Sequence, residues 1–230
     1  MGLRERKKEQ TRQRLAETAH RLFIERGFDG VTVAEIAREA EVAEATLFNY
    51  FPTKEALFFS GLEAFGARLV EAVRDRSAGE PALAAFRAFV LGTGGRLDRI
   101  AEGDLATLDQ MRTTARVIAA SAALRGREQQ VHAGIAAALA GALTAEHEGA
   151  ADHDRGAAEH AAGGDLPVDP VPRAVANALL GVHTALVDYS RHRLLADDRP
   201  AEIAADVRAY GERAFALLEH GLGVTYPARR

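Results

Sequence analysis

Residues 42–57 read Val-Ala-Glu-Ala-Thr-Leu-Phe-Asn-Tyr-Phe-Pro-Thr-Lys-Glu-Ala-Leu. The spacing predicts a short helix over about Glu44 to Tyr50, carrying polar and aromatic side chains. Pro52 stops it, because proline lacks an N–H and disfavours helix at the residue before it. Thr53 stands where a cap would start the next helix at once. Upstream, Thr32 and Glu35 form an S/T-x-x-E capping box, which places another helix at about Val33 to Ala40. Glu41 to Ala43 is the turn between them.

Working outward, Leu15, Ala19, Leu22 and Phe23 recur with the spacing of one buried helical face. That predicts a first helix from about residue 5 to Arg26, closed by Gly27. Two short helices, a tight turn and a second helix with exposed Thr, Asn and Tyr are the sequence form of a DNA-reading helix-turn-helix. A helix entering the major groove needs groups that reach base edges. Asn49 can pair bidentately with adenine, Thr46 can touch a base or a phosphate, and Phe48 can meet a thymine methyl or serve as core. Glu44 suits the positive end of the helix but repels phosphate. It either accepts from a cytosine amino group or stands in solvent. Thr32, at a helix start, offers N–H groups and a hydroxyl to a phosphate. Arg4, Arg6, Lys7, Lys8, Arg12 and Arg14 form a basic arm beside this unit, or equally a solvated helix end.

The rest of the 230 residues reads as helix too. Ala, Leu, Arg and Glu dominate and β-branched runs are scarce, so the expected class is all-α. A fourth helix is expected from Thr53 to about Arg76, long enough to join two domains, and a fifth carries Leu83, Phe86, Phe89 and Val90. Gly92-Thr93-Gly94-Gly95 is a weak point. Helices follow over about Asp104 to Ala120 and Ala122 to Glu146. Residues 147–169, rich in Ala, Gly, Asp and His, read as a mobile loop or a partly disordered insertion. Two apolar helices end the chain, one after Pro170 and Pro172, the other after Pro200. The expected division is an N-terminal three-helix unit, residues 1–56, and a larger helical domain, 57–230.

With these pieces assembled, the chain resembles the tetracycline-repressor (TetR) family of transcriptional regulators. The likeness rests on Leu15 to Phe23 with Gly27-Phe28, on Thr32 to Ala37, and on Ala45-Thr46-Leu47-Phe48-Asn49-Tyr50-Phe51-Pro52-Thr53-Lys54-Glu55. It implies an all-α homodimer that binds a double-stranded DNA operator. Glu44, Ala45, Thr46, Phe48, Asn49, Tyr50, Lys54 and Thr32 fall at the DNA, with the Tyr50 hydroxyl and Lys54 on the phosphate backbone. It also implies an effector pocket in the second domain, dimerisation through the last two helices, and release from DNA when a small effector binds. Two positions depart from the family pattern: Glu41 where Gly is frequent, and Ala43 where a capping Ser is frequent. A competing expectation follows from them and from the net charge of −4: a helical ligand- or protein-binding module that no longer binds DNA.

Phe86, Phe89, Met111, Arg112, Arg116, His132 and His183 lie on helices that would surround a pocket, and their bias points to a largely apolar effector. No cofactor and no metal is expected. His147, His153 and His160 with Asp152, Asp154 and Glu159 fit no compact ligand spacing. Asp188 and His192, four apart, lack a nucleophile motif such as G-x-S-x-G, so no catalytic set is expected. The glycines at 92–95 lack the Lys-Ser/Thr of a phosphate loop. The chain has no cysteine, hence no disulfide or thiolate site. The N-terminus shows no apolar signal core, and Ile135 to Leu143 is too short to span a bilayer, so a cytoplasmic protein is expected.

Overall fold

Helix α1 (Leu3–Arg26) buries Leu15, Ala19, Leu22 and Phe23 on one stripe and ends at Gly27, whose φ of 75° only glycine adopts cheaply. The computed structural model describes residues 2–154 and 169–221, and every regular element among them is a helix. Helix α2 (Val33–Glu39) starts at the expected box. Thr32 Oγ1 accepts from the Glu35 N–H at 3.2 Å, and a Glu35 carboxylate oxygen accepts from the Thr32 N–H at 2.8 Å. The Thr32 N–H and then its hydroxyl, both donating to that carboxylate, favour the ionised form and hold the Glu35 pKa below its ordinary value. Helix α3 (Glu44–Tyr50) follows, and Pro52 ends it as expected.

The expected fourth helix is two. Helix α4 (Lys54–Phe58), capped by Thr53, and α5 (Ser60–Arg74) meet at Phe59, whose φ of −90° and ψ of 6° interrupt the regular turn. The cause is packing. Phe59 is buried beside Phe58, which lies against both Phe23 and Phe28 at 5.6 and 5.5 Å between ring centroids. The bend lets two successive aromatics both enter the core. Ser60 Oγ donates back to the Leu57 carbonyl at 2.8 Å across the break.

Beyond Pro81 come α6 (Ala82–Leu91), α7 (Arg96–Ala101) and α8 (Leu105–Ala120). Helix α7 was not legible in the sequence, where the glycine run masks it. It is held from outside: Ile100 is buried, and Asp98 accepts from the Gly94 N–H at 2.7 Å and pairs with Arg208 at 2.6 Å. Helix α9 (Ala122–Asp154) is longer than expected and takes in 147–154, where the sequence predicts a loop. The alanines there are strong helix formers, and they extend the helix without large apolar groups. The remainder of the predicted loop, 155–168, lies outside the described residues, and with it Glu159 and His160.

Helices α10 (Val171–Leu195) and α11 (Pro200–His220) complete the fold. Helix α10 lies between α9 and α11, and α5 packs along α9. That last contact is close: a Cβ on Gly66 would stand 2.4 Å from Ile135 Cγ1. One apolar core runs from α1 through α5 and α6 to α9 and α10. A second, smaller one joins Ile100, Leu108, Leu186, Leu194, Ile203 and Val207. Leu186 therefore faces inward, against α11, and not a free surface.

Candidate nucleic-acid interface

Helix α3 is anchored through Leu47, which is fully buried, and through Phe51 just past its end. That leaves Glu44, Ala45, Phe48 and Asn49 exposed on its outer face, with Thr46 and Tyr50 half-buried at its flanks. Phe48 is 47% exposed, so of its two sequence readings the core one does not hold. An apolar ring left in water on a polar helix face is costly unless something covers it.

The first turn of α3 is weakly made. Ala43 is the N-cap, with φ −71° and ψ 146°, and its side chain accepts no hydrogen bond. Only its carbonyl takes part, accepting from Thr46 and Leu47 N–H at 2.9 and 3.1 Å. Two residues earlier Glu41 sits at φ 55°, the left-handed region that favours glycine. Both departures from the family pattern thus fall where the backbone asks for the residue that is missing. Ala43→Ser is expected to raise stability by about 0.5–2 kcal/mol by supplying the absent acceptor. Thermal unfolding checks it; an unchanged midpoint would mean that the added hydroxyl does not reach the N–H groups.

Around α3 lie the cations. Arg4, Lys7 and Lys8 of α1, with Glu5 and Thr11, border a cleft of about 440 Å3 that Tyr50 closes. Lys54 Nζ stands 4.3 Å from the centre of the Phe28 ring, which fixes the ammonium at the start of α4. Thr32 is exposed at the start of α2. Arg12 differs from the rest of the arm. It donates to the Tyr50 carbonyl at 3.3 Å and lies over the Phe51 ring at 4.6 Å. Its guanidinium holds the end of α3 in place.

The seven residues expected around a pocket do not converge. Phe86 is sealed in the core against Phe215, ring centroids 5.9 Å apart. Met111 packs on the smaller core, Arg112 pairs with Asp197 at 2.6 Å, and Arg116 is exposed. Phe89, His132 and His183 do come together, around Phe65 of α5. His183 stacks on Phe65 at 4.8 Å, Phe89 lies 5.3 Å from Phe65, and His132 is 6.2 Å from His183. The Nε2 of His132 is buried without a hydrogen-bond partner. Beside it a shallow, mostly apolar groove of about 460 Å3 runs between α9 and α10, bordered by Ala133, Ala136, Gly181 and Ala185.

Burial, and then the neighbouring His132, push the His183 pKa from 6.5 down to about 4. The sign follows. The unfolded chain takes up a proton as pH falls through 6.5, whereas the folded chain resists until about 4. Stability is therefore expected to fall across that window, and His183→Leu to remove that part of the loss. Urea unfolding at both ends of the window tests this; an identical pH dependence in the variant would contradict it.

The fold and this surface describe a helix-turn-helix unit joined to a larger helical body. Residues 15–60 match the model for bacterial regulatory proteins of the tetR family. Over those residues the chain carries the N-terminal unit of the TetR family of transcriptional regulators. It is 37% identical over 112 residues to the HTH-type transcriptional regulator TcmR of Streptomyces glaucescens, covering 47% of this chain and 46% of that one. It is 37% identical over 65 residues to the HTH-type transcriptional repressor NemR of Escherichia coli K12, covering 26% of this chain and 33% of that one. The matches thus span half or less of these relatives' own length. The fold is similar over 95% of this chain, with a TM-score of 0.54 and 19% identity, to a structure described as a TetR-family transcriptional regulator of Syntrophomonas wolfei, all of which is covered. Among the described residues no helix is long and apolar enough to cross a membrane, and no three His, Asp or Glu side chains are grouped as a metal site requires.

Proposed function

We propose that the protein is a ligand-responsive repressor that binds a near-palindromic DNA operator as a homodimer and is released by a small, largely apolar effector. Residues 1–56 form the DNA-binding unit, and 57–230 the effector-binding and dimerisation unit. One observation carries the reading: α3 buries Leu47 and turns Glu44, Ala45, Phe48 and Asn49 outward, with Arg4, Lys7, Lys8 and Tyr50 flanking it as a basic cleft. Exposed base-reading groups beside a cluster of cations are what a major groove between two phosphate strands requires. Thr46 and Thr32 add hydroxyls at the rim, and Lys54 a fixed ammonium.

The dimer face we propose is that of α9 and α10 rather than α10 and α11. The exposed positions of α9 include Ala133, Gly134, Ala137 and Ala138, and those of α10 include Ala174, Ala178, Gly181 and Ala185. Small residues allow helices of two subunits to approach closely. Helix α11 exposes a more charged face, Glu202, Arg208, Glu212, Arg213 and Glu219 beside Tyr210 and Leu218. The effector is assigned to the cluster of Phe65, Phe89 and His183 behind the groove. A neutral imidazole among aromatics suits an apolar molecule with one hydrogen-bonding group.

Asn49 tests the DNA reading. Asn49→Ala is expected to cost roughly 1–3 kcal/mol on the best operator and to relax the preference at one base pair per half-site. Binding of the variant to single-base-pair operator mutants measures this. An equal loss on every sequence would make Asn49 a backbone contact.

A further inference from the structure

Glu63, on α5, lies between two guanidiniums from helices distant in sequence, α1 and α9. One of its carboxylate oxygens is 3.1 Å from Arg127 Nη2, on α9, and the other is 3.8 Å from Arg12 Nη2, on α1. Arg12 in turn holds the Tyr50 carbonyl and covers the Phe51 ring at the end of α3. The Nε of Arg127 is buried without a partner, so its link to the protein runs through its terminal nitrogens, to Glu63 and, at 3.4 Å, to Gln130. Helix α9 carries His132 little more than one turn beyond Arg127.

We propose that Glu63 is a positioning residue that ties the reading helix to α9 through Arg12 and Arg127, and so sets the angle at which the DNA-binding unit is held. The proposal rests on the DNA-binding, dimeric reading above. A carboxylate shared by two cations holds both only while the two helices keep their spacing. A shift of α9 against α5 lengthens the Arg127 contact and leaves Glu63 to Arg12 alone. Each pair is partly exposed and weak by itself. Its effect is therefore not on the affinity of one reading helix for one half-site. It lies in how freely the two DNA-binding units of a dimer rotate, which sets the effective concentration of the second for its half-site.

The test uses the full chain and two DNA fragments, an operator recovered by selection from random sequence and the same fragment with one half-site scrambled. Arg127→Gln is expected to weaken operator binding about 5-fold, the low end of measured couplings, and to leave half-site binding unchanged. In a Glu63→Gln background the same change is expected to have no further effect. An equal loss on both fragments, no loss on the operator, or the same loss with Glu63 already replaced would overturn the proposal. Arg127→Lys, which keeps a charge beside Glu63, is expected to retain operator affinity, and its failure to do so in a folded protein would also count against the link. A wild-type protein that binds no DNA at all overturns the functional reading itself, a result distinct from any of these.

Discussion

Leu186→Asp is expected to unfold the subunit rather than to release folded monomers. Leu186 is 7% exposed and packs with Ile203, Val207 and Leu194 in the smaller core. It also fills the space over Gly211, where an added Cβ would meet its Cδ1 at 3.2 Å. Truncating such a leucine costs about 2–5 kcal/mol from lost burial and the cavity left behind. A carboxylate there adds the desolvation of a charge with no partner, so the total takes up most of the roughly 5–15 kcal/mol that folds a domain. The expected result is loss of the cooperative thermal transition. Gly181→Glu is the complementary change. Gly181 is exposed on α10, and a Cβ there meets nothing within 4 Å. That variant is expected to fold and to sediment as a monomer. A folded, dimeric Leu186→Asp protein would contradict the core assignment, and a dimeric Gly181→Glu protein would contradict the α9–α10 face.

The second large effect is that of salt on DNA binding. Arg4, Lys7, Lys8 and Lys54 flank the reading helix, and two subunits would bring about eight cations to the phosphates. Log K is then expected to fall with log salt at a slope of about −0.9 for each phosphate neutralised. Between 50 and 200 mM salt that amounts to roughly 10³–10⁵ in affinity. Lys54→Gln is expected to weaken all sequences alike and to flatten the slope by about 1 for each subunit. The opposite pattern, a sequence-selective loss with the slope intact, would move Lys54 from the backbone to a base.

Features set by neighbouring residues were legible in the sequence. The Thr32–Glu35 box, Gly27 after α1 and Pro52 after α3 each act within one turn of chain, and each stands where local chemistry put it. The departures at Glu41 and Ala43 were legible too, and the structure places them at a positive φ and at an N-cap without a side-chain acceptor. What escaped depends on contacts distant in sequence. The break at Phe59 comes from aromatics of α1 and the following loop, and α7 is held by Arg208, 110 positions away. An apolar stripe says that Leu186 is buried but not by what, so a subunit core and a dimer face look the same. The seven pocket candidates divided for the same reason. Phe86 and Met111 belong to cores, whereas Phe65 joined the two histidines only once α5 was laid against α9 and α10. Arg12 looked like one more cation in a basic arm. Its bond to the Tyr50 carbonyl spans 38 positions and has no sequence signal.

If two copies of this chain read DNA through α3, selection of bound fragments from random double-stranded DNA will show it. Enrichment of two half-sites in inverted orientation is expected, with centres one helical turn apart or a multiple of it. Recovery of a pool no different from the starting one, or of a single undivided site bound equally by monomers, would contradict it.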